Sequence, residues 1–192
     1  MGCVTTARTL TTTLVDADAT RAFGESLAAL LQAGDLIMLT GDLGAGKTTL
    51  TQGIGVGLGI RGQVASPTFI IAREHPSLTD GPALVHVDAY RLGSLEEVDA
   101  LDLDSSLEEA VTVVEWGVGL VEGISGDRIE IVLERPHGGV PVDVLDVEGA
   151  EIGERTATIT LHGQRWEGVT LPGTHELPPV PSAAPDSAPT TR

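Results

Sequence analysis

The sequence predicts an α/β fold, a mostly parallel sheet flanked by helices with antiparallel strands added late, and three observations predict it. Apolar runs of strand length alternate with stretches of helical periodicity over most of the chain. One such run, Asp35 to Thr40, leads directly into a glycine-rich loop and then into a helical pattern. Two others, Leu84 to Asp88 and Ala110 to Glu115, are buried-looking and end in a carboxylate.

Taken in order, Thr9 to Leu14 alternates weakly and reads as a first strand. Asp16 or Asp18 can cap the helix that follows, which puts Phe23, Leu27, Leu30 and Leu31 on one face and stops at Gly34. The strand over 35–40 enters the loop Gly41-Asp42-Leu43-Gly44-Ala45-Gly46-Lys47-Thr48. The next helix shows Leu50, Ile54 and Leu58 four apart and fades into Gly53, Gly55, Gly57 and Gly59. Each interior glycine costs about 1 kcal/mol relative to Ala, so that helix leans on packing against the sheet. Further strands are expected at Phe69 to Ala72, Ala83 to Val87, Val111 to Val114, Arg128 to Leu133 and Thr156 to Leu161. A short helix falls near Leu95 to Leu101, and Pro136 to Gly153 reads as an irregular hairpin or insertion. From Pro172 onward the chain holds six of its eleven prolines among Ala, Ser and Thr. The expected division is a domain over 1–165 and a disordered tail over 166–192.

The loop satisfies G-x-x-x-x-G-K-[ST], the Walker A pattern. Lys47 is the only lysine, while ten arginines carry the other side-chain positive charge. A compact ammonium fits the crowded nest of main-chain amides around phosphates, where a guanidinium fork is too wide. The glycines bring the backbone close to the anion, the following helix points its N-terminus at it, and Thr48 supplies a hydroxyl for Mg²⁺. The predicted ligand is a nucleoside triphosphate with Mg²⁺, held by Gly41, Asp42, Leu43, Gly44, Ala45, Gly46, Lys47, Thr48 and Thr49.

A phosphate loop needs a second acidic anchor at a neighbouring strand end. Asp88 and Glu115 both stand in that place, and each alone could equally be a solvated strand-end acid. Three of the five aromatic residues, Phe69, Tyr90 and Trp116, lie within two residues of Thr68, Asp88 or Glu115. Core packing is the alternative reading for them.

Composition bounds the partners. Twenty-eight acids against eleven bases give a formal charge of −17, with no basic cluster. Tight direct binding to a nucleic-acid backbone requires the opposite balance, so any RNA is expected to be held by a partner. No apolar stretch approaches the roughly 20 residues that span a bilayer. A single cysteine, Cys3, excludes an internal disulfide, and the first ten residues lack a signal-peptide pattern, which points to a cytoplasmic protein. Met1 to Thr6 formally fits a myristoylation pattern, a short match given no weight.

Four motifs carry a family resemblance: Gly41 to Leu50; Ser66-Pro67-Thr68-Phe69; His86-Val87-Asp88-Ala89-Tyr90-Arg91-Leu92; and Glu115-Trp116-Gly117. In this order and spacing, from about Thr9 to Leu133, the chain resembles the TsaE (YjeE) family, the small ATPases of the bacterial machinery that makes threonylcarbamoyladenosine in tRNA. The resemblance implies that Thr48 and Glu115 hold Mg²⁺ and that the loop through Thr49 wraps the phosphates. It implies a switch-like segment at Ser66 to Thr68 with Thr68 near the γ-phosphate, a second loop at Asp88 to Arg91 with Asp88 supporting hydrolysis, and Trp116 against the nucleotide. It also implies docking on a TsaB–TsaD heterodimer, with tRNA met only through those partners and no membrane. Catalysis would then rest on Lys47, Thr68, Asp88 and Glu115. Val118 stands where members often carry an acid.

Other nucleotide-binding classes compete. A Ras-like GTPase needs N-K-x-D, impossible when Lys47 is the sole lysine, and the ABC signature is missing. A small-molecule kinase fits the size but lacks an Arg-rich lid. A nucleotide-gated assembly subunit with incidental hydrolysis is the remaining alternative.

Overall fold

The computed structural model describes residues 7–67, 71–92, 97, 107–135 and 153–178. The elements are β1 (Arg8–Leu14), α1 (Ala17–Ala28), β2 (Leu36–Thr40), α2 (Lys47–Leu58), β3 (Ala72–His75), β4 (Ala83–Asp88), β5 (Ala110–Glu115), β6 (Arg128–Glu134), β7 (Arg155–His162) and β8 (His175–Glu176). They form one eight-stranded sheet in the order β3-β4-β5-β2-β6-β7-β1-β8. β4, β5, β2 and β6 pair in parallel, and the other pairings are antiparallel. The α/β expectation holds, with one difference. Antiparallel strands are not confined to the end of the chain, because β1 pairs with β7 and β3 pairs with β4.

Burial explains the strand patterns. β5 (AVTVVE) is buried at every position, as a central parallel strand covered on both faces must be. β7 alternates buried and half-buried residues along its length, as a strand with one face on the core does. In β2, Ile37 and Leu39 join the larger cluster with α1 and α2, while Leu36 and Met38 join a smaller one on the opposite face with Val85, Val87, Leu107 and Val121.

Asp16 caps α1 by accepting from Ala19 N at 2.7 Å, and Phe23 and Leu27 lie in the larger core cluster. The helix stops at Ala28, before Gly34, and its last turn tightens through Leu30 N→Leu27 O and Leu31 N→Ala28 O bonds. α2 crosses α1 at a glycine contact. A Cβ on Gly53 would lie 2.1 Å from Arg21 O, and one on Gly57 would lie 2.5 Å from Ala28 Cβ.

Of the strand expected over Phe69 to Ala72, only Ile71 and Ala72 are described: Ile71 has φ of +70° and donates its N–H to Pro67 O, and β3 runs from Ala72 to His75. One expectation is corrected. The tail expected from residue 166 is folded through Pro178. Trp166 and Leu171 are buried in the core, β8 pairs with β1, and Thr12 Oγ1 donates to Gly173 O at 2.8 Å. A few apolar residues spaced among glycine and proline carry no periodicity, yet they close the open end of the core. Residues 179–192, Thr68 and Phe69, most of the helix expected near Leu95 to Leu101, and 136–152 lie outside the described residues. Among the described residues no helix is long and apolar enough to cross a membrane.

Candidate nucleotide site

Parallel register assembles the site. Leu39 of β2 is level with Glu115 of β5, and Asp88 of β4 is level with Glu115. The carboxyl ends of three adjacent strands therefore meet where the loop leaves β2, the position at which open α/β sheets bind ligands. Gly41, Gly44 and Gly46 take φ of +143°, +77° and +106°. Gly46 is the left-handed residue from which α2 starts, a conformation that costs an L side chain energy.

Lys47 is 5% exposed, and its ammonium donates to Gly41 O at 2.7 Å and Asp42 O at 3.0 Å. Burial pushes its pKa down, while the carboxylates of Glu115, Asp88 and Asp42 push it back up. The ammonium also sits 4.2 Å from the centroid of the Trp116 ring, and Tyr90 meets that ring edge-on at 5.5 Å. Trp116 adopts φ of +62° and donates its main-chain N–H to Leu39 O, which turns its side chain out of the strand pattern.

Glu115 is held by two side chains. Thr48 Oγ1 donates to its Oε1 at 3.0 Å, and His86 Nε2 lies 2.9 Å from the same oxygen. Glu115 and His86 are 3% and 0% exposed, and since a carboxylate oxygen only accepts, Nε2 is the donor of this bond. Asp88 is buried, and its Oδ1 accepts Tyr90 N at 3.0 Å, capping the short turn Ala89–Arg91. Thr48 and Glu115 thus offer adjacent hard oxygen donors, the ligand chemistry magnesium takes alongside water and phosphate oxygens.

The structure brings together the loop, Lys47, Thr48, Asp88, Glu115 and Trp116. Thr49 follows on the first turn of α2. The Leu43 side chain is 86% exposed, so only its backbone belongs to the loop wall. Thr68 lies outside the described residues. His86 was visible only as part of a motif, and nothing but its buried place in the Leu84 to Asp88 run distinguished it. Arg155, which touches the loop from β7, had no sequence signal at all.

The sheet, its strand-end acids and the glycine loop define a P-loop NTPase-like α/β protein. The family model for "Threonylcarbamoyl adenosine biosynthesis protein TsaE" matches residues 14–139. The chain belongs to the TsaE family. It is 59% identical over 139 residues to the tRNA threonylcarbamoyladenosine biosynthesis protein TsaE of Streptomyces coelicolor, covering 72% of this chain and 94% of that protein. The protein of the same name from Bacillus subtilis is 37% identical over 155 residues, covering 80% of this chain and 86% of that protein. Among solved structures, that of Bacillus subtilus YdiB superposes with a TM-score of 0.60 at 34% identity, covering 84% of this chain and 91% of that chain.

Proposed function

We propose that this chain is an ATPase that binds MgATP and sustains threonylcarbamoyladenosine modification of tRNA by acting on a TsaB–TsaD heterodimer. One observation carries the nucleotide reading: a buried ammonium, a helix-start hydroxyl and a strand-end carboxylate converge on one glycine loop, at Lys47, Thr48 and Glu115. The loop amides and Lys47 would bind the phosphates, the ammonium exchanging its two carbonyl partners for phosphate oxygens. Thr48 and Glu115 would hold magnesium, which neutralises charge on the phosphates when bound. Trp116 and Tyr90 supply an aromatic wall beside them. Asp88 and Glu115 are the two candidates for polarising the attacking water.

Phosphoryl transfer is chiefly positioning and charge neutralisation, so much of it can be withheld until a partner orders the site. The chain is accordingly a weak ATPase alone and a faster one with its partners. Its net charge of −17 supports contact with tRNA only through them, and a cytoplasmic setting fits that role. The test is ATP turnover of the purified chain, alone and with TsaB, TsaD and tRNA. Stimulation of about tenfold or more is expected. Equal turnover in both mixtures would refute the partner reading, and ATP consumption only with a small acceptor would indicate a kinase.

A further inference from the structure

Arg155 opens β7, 110 positions after the loop residue it touches and beyond the span that the family model matches. It is fully buried. Its Nε donates to Ala45 O at 3.0 Å, and Nη1 donates to Gly153 O at 3.0 Å. Nε, Cδ and Cζ lie 2.9, 3.3 and 3.7 Å from where a Cβ on Gly46 would stand. The guanidinium therefore seats against the bare backbone of Gly46 and grips the carbonyl just before it.

That grip has a geometric consequence. A trans peptide is planar, so the Ala45 C=O and the Gly46 N–H point in opposite directions from one rigid unit. Holding the carbonyl from the Arg155 side fixes the Gly46 N–H to point away from Arg155. In a phosphate loop the main-chain N–H groups are the anion's donors, and their value depends on being aimed before the ligand arrives. An arginine suits this duty because its donors are rigidly forked and always charged. The loop joins β2 to α2, and Arg155 ties it to the antiparallel half of the sheet.

We propose that Arg155 is a positioning residue of the phosphate site, setting the Ala45–Gly46 peptide plane so that the Gly46 N–H is aimed at a phosphate common to ADP and ATP. This rests on the nucleotide reading above.

The experiment compares the full chain with Arg155→Met and Arg155→Lys. MgADP and MgATP affinities are read by calorimetry, the unfolding midpoint by circular dichroism, and hydrogen exchange over peptides spanning 41–49. Both variants should bind both nucleotides about five- to tenfold more weakly, the scale of one lost hydrogen bond. Loop exchange should quicken while exchange in β2 and β5 stays as in wild type. Wild-type affinity in folded Arg155→Met would overturn the proposal. Recovery by Arg155→Lys would overturn it too, because charge rather than aim would then be the contribution. If Arg155→Met does not fold, Arg155→Lys decides. Wild-type chain that binds neither nucleotide would refute the nucleotide reading itself. The exchange data then judge the brace alone, with faster exchange confined to the loop supporting it and uniform or absent change refuting it.

Discussion

At the scale of single residues, the proposed site separates binding from turnover. Lys47 and Thr48 would act on the ligand's phosphates and metal, whereas Glu115, held by Thr48 and His86 at one oxygen, would serve both the metal and the attacking water. Lys47→Ala and Thr48→Ala should each weaken MgATP binding by about tenfold to a hundredfold, as expected for hydrogen bonds to charged groups. Glu115→Gln keeps an acceptor oxygen for His86 and a neutral oxygen ligand for magnesium, and should leave affinity within about threefold while lowering turnover by about a hundredfold. Titration of nucleotide into each variant, with steady-state turnover beside it, checks the split. A Lys47→Ala variant binding as tightly as wild type would refute the site. Lys47, Thr48 and Glu115 could be named from the sequence because a glycine loop and a strand-end acid are local patterns. The partnership of His86 with Glu115 could not, since two residues 29 apart meet only when β4 and β5 pair in register.

At the scale of elements, α2 shows why a poor helix sequence makes a good helix here. Helix propensity alone predicts that Gly53→Ala gains about 1 kcal/mol. The α1–α2 contact predicts the reverse, because the new Cβ would meet Arg21 O at 2.1 Å. Pushing two packed helices apart costs about 1–3 kcal/mol, and Gly53→Ala should lower the urea midpoint accordingly. A raised midpoint would show that the crossing is looser than described. The same element-level view explains β3, which pairs with β4 from Ala72 on through the polar residues Arg73, Glu74 and His75 at the sheet edge, with Asp88 N donating to Ile71 O.

Across the whole molecule, the segment after β7 is part of the fold. Trp166 fills the core beneath Arg165, whose guanidinium lies 4.3 Å over its ring and also donates to Leu30 O at 2.7 Å and to Asp35. Asp35 itself accepts from Gln32 N, and its burial raises its pKa against the pull of Arg165. A chain ending at residue 165 loses Trp166, Leu171 and β8 together. The loss of the tryptophan alone is worth about 3–5 kcal/mol. Such a chain should unfold at a much lower temperature than one ending at Pro178, measured by thermal melts of the two truncations. Equal midpoints would place the domain boundary at 165 after all.

The sequence by itself determined the chemistry of the loop, the two strand-end acids and the α/β class, because each is written in contiguous residues whose spacing repeats the geometry of a turn or a strand. Tertiary structure alone decided that Arg155 meets the loop, that His86 meets Glu115, and that the segment from Trp166 to Glu176 closes the core. Those contacts join residues far apart in the chain. Only the pairing order of the strands brings them within hydrogen-bonding distance, and no local pattern encodes that order.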